Sequence, residues 1–71
     1  MEIRAEMVAT VWTVRAAEGA QVKTDDELAV LESMKMEIPV LSEIDGVVTH
    51  LAVTEGDAVA EGDLIAVIAA E

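Results

Sequence analysis

Displaced by 37 positions, the distance from Gly19 to Gly56, the 71-residue chain matches itself. Glu18-Gly19 falls on Glu55-Gly56, Val22 on Val59, and Asp26 on Asp63. Leu28-Ala29-Val30-Leu31 falls on Ile65-Ala66-Val67-Ile68, and upstream Val11 meets Val48 and Val14 meets Leu51. The correspondence runs without a gap from residues 6–31 to residues 43–68. Because turn residues and apolar residues stay in register together, we read two copies of one structural unit related by a pseudo-two-fold axis. A chain of this length makes one small domain, spanning residues 1–71.

Each copy reads as β-structure. Sixteen residues are Val or Ile, whose branched Cβ suits a pleated surface. The apolar runs are short and bounded by Gly, Asp and Glu, the pattern of a sandwich or small barrel. Val11 to Arg15 and Val47 to Val53 are equivalent strands, Leu28 to Glu32 and Leu64 to Ala69 another pair. Glu18-Gly19 and Glu55-Gly56 are turns. Glu61-Gly62-Asp63 is a further turn, and its counterpart Thr24-Asp25-Asp26 puts Asp25 where a left-handed glycine would sit, which Asp tolerates. Asp26 to Met36 contains good helix formers, but its match to the strand-like Ile65 to Ile68 favours strand.

The repeat leaves Glu32-Ser33-Met34-Lys35-Met36-Glu37-Ile38-Pro39 unexplained. With strands over Leu28 to Ser33 and Met36 to Leu41, Met34-Lys35 becomes a hairpin tip, where Asn-Gly or Asp-Gly would be the comfortable pair. Exposed lysines are ordinarily solubilising and methionines ordinarily fill cores. Here, however, one of only two lysines stands between two symmetric halves; the other, Lys23, lies in a turn without such a setting. His50, the sole histidine, reads as an exposed strand residue.

Charge and composition exclude much. Four basic residues face fifteen acidic ones, a net charge of −11, which repels nucleic-acid phosphates and anionic lipid alike. There is no cysteine to make a disulfide, a thiolate metal site or a nucleophile. No apolar stretch approaches the ~18 residues of a membrane span. The first residues lack a basic-then-apolar leader, so a cytoplasmic location is expected. Asp25-Asp26-Glu27 lacks the spacing of a calcium loop, and His50 has no marked nucleophile as partner, so catalysis by this chain is not expected.

Glu32-Ser33-Met34-Lys35-Met36 resembles the attachment motif of biotin carboxyl carrier domains, in the wider biotinyl/lipoyl family. The resemblance extends over nearly the whole chain, through Pro39, Gly46-Val47-Val48 and the run from Glu55 to Ile65. It implies an all-β fold, a flattened barrel or sandwich of two four-stranded antiparallel sheets, with the lysine on a hairpin at one end. It implies covalent biotin on Lys35, joined as an amide by a biotin protein ligase. Met34 and Met36 would be ligase recognition positions, with Glu32 and Ser33 completing the motif. The chain would be a non-catalytic carrier, monomeric in isolation, shuttling carboxyl groups between separate biotin carboxylase and carboxyltransferase subunits. Departures are Ser33 for the more usual Ala, Asp25 for a turn glycine, Ala20 where the second copy has Asp57, and Ser42-Glu43 for Ala-Pro. No thumb-like insertion precedes the motif.

Two other readings stand beside it. A lipoyl carrier shares the fold and the lysine, but typically has an acidic residue before it, where this chain has Met34. An unmodified β module used only for binding is the other. The acceptor substrate is not encoded in these residues.

Overall fold

The computed structural model describes residues 1–70, which form eight β-strands. The first copy supplies β1 (Glu2–Arg4), β2 (Ala9–Val14), β3 (Gln21–Val22) and β4 (Glu27–Ser33). The second supplies β5 (Met36–Leu41), β6 (Gly46–Leu51), β7 (Ala58–Val59) and β8 (Leu64–Ala70). The 37-residue displacement carries β2, β3 and β4 onto β6, β7 and β8 end for end, and β1 onto the latter half of β5. The symmetry therefore reaches further toward the amino terminus than the sequence match did. The stretch rich in helix formers is strand β4 and the start of β5.

The strands build two four-stranded antiparallel sheets, β1-β8-β6-β3 and β5-β4-β2-β7. In each, the central pair comes from one copy and both outer strands come from the other. Alternation along each strand turns one face inward. One core cluster gathers Val11, Leu31, Val53, Val59 and Ile65; the other gathers Ala16, Val22, Leu28, Val48 and Ile68. The displacement exchanges these two sets member for member, so both cores mix residues from both copies. Truncating a buried Leu or Ile of this kind to Ala costs about 2–5 kcal/mol. The two sheets pack without any aromatic side chain, because Trp12 is half-exposed.

Both long inner strands, β2 and β6, carry a bulge at the equivalent place, between Val11 and Thr13 and between Val48 and His50. Each bulge is held by a glutamate from the other copy. Glu55 Oε2 accepts from the Thr13 hydroxyl at 2.9 Å and the Val14 N–H at 3.1 Å. Glu18 Oε2 accepts from the Leu51 N–H at 2.9 Å and stands 3.2 Å from His50 Nδ1. His50 thus occupies the position of Thr13, against the glutamate equivalent to Glu55. The glycines that follow bind back in the same symmetric way, Gly19 N–H to Val48 O and Gly56 N–H to Val11 O, both with positive φ.

Candidate functional site

The hairpin between β4 and β5 ends on the pair Ser33↔Met36, leaving Met34 and Lys35 as its two turn residues. Their φ angles are +52° and +65°. Two positive φ values define the primed turn whose twist matches antiparallel strands, and Gly or Asn ordinarily supplies them. Among the described residues only Asp25 joins these two as a non-glycine with positive φ, and Asp25 takes the turn role expected of it. A left-handed conformation costs an ordinary side chain about 1–2 kcal/mol. The strain of the chain is therefore concentrated on the two residues flagged as odd for a turn.

The surrounding side chains face water rather than the core. Met34 is 90% exposed and Met36 61%, so neither thioether fills a gap. Lys35 is exposed, and among the described residues no carboxylate forms an ion pair with its Nζ. Glu32 and Glu37 sit directly opposite each other across the hairpin, a like-charged pair that weakens it. Ser33 Oγ donates to Val8 O at 3.2 Å, which ties the end of β4 to the residue before β2. Val8 is itself 71% exposed. The five residues singled out in the sequence, Glu32, Ser33, Met34, Lys35 and Met36, thus lie together at one exposed tip. Sequence reasoning missed Val8, which carries no local signal of proximity to that tip.

Among the described residues no competing chemical centre is assembled. The two serine hydroxyls are committed to backbone carbonyls, Ser33 to Val8 and Ser42 to Ile44, and neither bonds His50. Among the described residues no group of His, Asp and Glu converges to hold a metal. A groove of about 510 Å³ opens between β1 and β5, lined by Ile3, Met7, Ile38 and Val40 among others, and neither Met34, Lys35 nor Met36 borders it. Two carboxylates titrate below their ordinary range. Glu55 is held down by the Val14 N–H and then the Thr13 hydroxyl, Asp45 by the N–H and then the hydroxyl of Thr24. Both are exposed caps of bulges and turns.

A family model described as "Biotin-requiring enzyme", for biotin and lipoyl domains, matches residues 1–68. The "Biotinylated protein TB7.3 homolog" of Mycobacterium leprae is 52% identical over 67 residues, covering 94% of each chain. A single-chain, multi-domain long-chain acyl-CoA carboxylase superposes with a TM-score of 0.93 at 32% identity, over all of this chain and 7% of that one. The lipoyl domain of the 2-oxoglutarate dehydrogenase complex of Azotobacter vinelandii gives a TM-score of 0.78 at 29% identity, covering 94% of this chain and 95% of that one.

Proposed function

Because the chain belongs to the biotin/lipoyl family, we propose that it carries biotin as an amide on Lys35 and moves carboxyl groups between the active sites of a biotin-dependent carboxylase. It is a carrier and not itself an enzyme, and the biotinylated protein of Mycobacterium leprae matches 94% of its length. The observation that carries the choice of residue is the tip itself: an exposed amine, free of any ion pair among the described residues, on a two-residue turn. The other lysine, Lys23, is exposed and outside those ion pairs too, but it stands in a turn capped through its N–H by the Asp26 carboxylate at 2.9 Å, not on a left-handed two-residue hairpin tip.

The residues present fit the group. Acylation needs a primary amine with room on all sides, and Met34 and Met36 leave Lys35 that room while marking it for a biotin protein ligase. Biotin, when bound, supplies a ureido nitrogen that carries the carboxyl group. The protein's part is position. The rigid hairpin holds the base of the arm, and the long side chain lets its end enter more than one cleft. Tethering makes each delivery intramolecular, with effective concentrations in the ~mM range. We place the carrier with a biotin carboxylase site and a carboxyltransferase site in the cytoplasm, as a monomer in isolation.

Lipoate is the second reading. The likeness to the lipoyl domain favours it, whereas Met34 in place of an acidic residue and the biotinylated relative weigh against it. Intact-mass measurement after co-expression with a biotin protein ligase separates them. A biotinyl increment on the wild type that Lys35→Ala abolishes is the expected result. A lipoyl increment, or an increment that survives Lys35→Ala by residing on Lys23, overturns the assignment.

A further inference from the structure

The pseudo-two-fold axis supplies an internal comparison. The outer faces of the two sheets share one backbone plan, so a difference between equivalent positions is not demanded by the fold. On the β5-β4-β2-β7 sheet, Trp12, Pro39 and Leu41 face outward, alternating with Val11, Ile38 and Val40, which turn to the core. Their equivalents on the other sheet are Thr49, Glu2 and Arg4. Those three are polar and engaged: Thr49 Oγ1 donates to Val67 O at 3.3 Å, Arg4 pairs with Glu2 at 2.8 Å, and Arg4 also donates to Gly62 O at 2.8 Å.

Val30 lies between the bulge that carries Trp12 and Pro39, paired with Thr13 and Pro39. It belongs to neither core cluster yet is only 6% exposed, while its equivalent Val67 is more open. The other sheet's outer face is not without apolar residues, having half-buried Val47 and Val67. Large apolar side chains, however, stand exposed only on this one, as a strip: Trp12 at 52% and Leu41 at 38%, with Pro39 between them and buried Val30 beneath.

That sheet also carries the hairpin that displays Lys35, and the acidic pair Glu32 and Glu37 lies between the strip and the tip. A specific protein interface takes about 800 Å² per partner. Against a total surface of 4297 Å², a docked protein covers roughly a fifth of this molecule. Met34, Lys35 and Met36 cannot supply that area, so whatever grips the tip must spread onto a neighbouring face. Trp is the residue type most enriched among side chains that dominate interfaces. Acidic residues beside an apolar strip on a strongly acidic protein call for the complementary surface.

Resting on the assignment of Lys35 above, we infer that this strip is the docking surface for the modifying biotin protein ligase, through a patch apolar at its centre and rimmed by Lys and Arg. The test is steady-state biotinylation by a purified biotin protein ligase. The variants Trp12→Thr and Leu41→Arg each install the residue of the opposite sheet, and circular dichroism confirms that they fold. KM for the carrier is expected to rise about tenfold in each with kcat unchanged, the effect of losing one interface anchor. Thr49→Ala, on the other sheet, leaves KM where it was. An unchanged KM in both strip variants, with the wild type modified on Lys35, overturns the docking surface and leaves the attachment site standing. Sedimentation showing a wild-type dimer that Trp12→Thr dissociates overturns it too, by giving the strip to a second copy. Absence of biotin from wild-type Lys35 overturns the assignment and the docking surface together.

Discussion

The turn residues Met34 and Lys35 hold a conformation that neither side chain favours, at the one place where the side chains themselves are needed. Strain of this kind persists only where surrounding structure over-determines it. Here the six register pairs of the β4–β5 ladder do so. Replacing Met34→Asn together with Lys35→Gly should therefore stabilise the protein by about 1–2 kcal/mol in urea unfolding. The same replacement abolishes modification, a direct exchange of stability for function. A double variant no more stable than the wild type would show that the tip is not strained. Ala20 makes the opposite case, a loss with no function attached. Three turns carry an Asp whose carboxylate accepts from the N–H three residues earlier: Asp26 to Lys23 at 2.9 Å, Asp57 to Thr54 at 2.9 Å, and Asp63 to Ala60 at 2.8 Å. The fourth has Ala20 facing Ala17, joined only through the backbone at 3.0 Å. Ala20→Asp should add roughly 0.5–1 kcal/mol by capping the Ala17 N–H, read as a higher unfolding midpoint.

At the scale of elements, the crossed glutamates tie the copies together. Glu55 belongs to the second copy but caps the bulge of β2, and its carboxyl is held below the ordinary glutamate value by the Val14 N–H and the Thr13 hydroxyl. A depressed folded-state value means that the carboxylate stabilises the fold fully above the ordinary range, near pH ~4.3, and loses that contribution as pH falls through the lower folded value. Glu55→Gln should accordingly lower the thermal midpoint at pH 7. The gap to the wild type should close as pH falls through that lower folded value, below which both carry a neutral side chain. A gap that is constant with pH would mean the charge plays no part. This clamp was not legible in the sequence, where Glu18-Gly19 and Glu55-Gly56 read as turns only. Local pattern shows that a chain reverses, not which distant N–H its side chain will meet. For the same reason the sequence places His50 on an exposed strand, where it lies, without showing that Glu18 stands beside it. What was legible came from periodicity and special backbone: the long strands, the tip at Met34-Lys35, and the left-handed role of Asp25. The strands β3 and β7 have two residues each, too few for alternation to announce them. Their register across the repeat, Val22 with Val59, was visible all the same.

On the scale of the whole molecule, the interleaving of the sheets decides how stability is distributed. β1 pairs only with β8, β3 only with β6, β5 only with β4 and β7 only with β2, so each link of an outer strand joins one copy to the other. Both core clusters are likewise shared. Cutting the chain at the tip gives residues 1–35 and 36–71, each retaining a single central pair of strands, β2 with β4 or β6 with β8. A two-stranded ribbon with no opposing layer is at best marginally stable in water. Neither fragment should show cooperative thermal unfolding by circular dichroism, and an equimolar mixture should regain both the β signal and the transition. Charge sets how readily they meet. All four basic residues lie in residues 1–35, which carry a net −3, whereas residues 36–71 carry −8. Like-charged fragments repel over a distance that salt shortens, to about 10 Å at 0.1 M and 3 Å at 1 M. Their association should therefore strengthen as salt is added, opposite to a complex held by ion pairs. A fragment of residues 1–35 that melts cooperatively as a monomer would show that one copy is self-sufficient. In that event the hairpin displaying Lys35 would owe its rigidity to β4 and its own copy. With the interleaved arrangement, every strand of both copies contributes to holding that one turn in place.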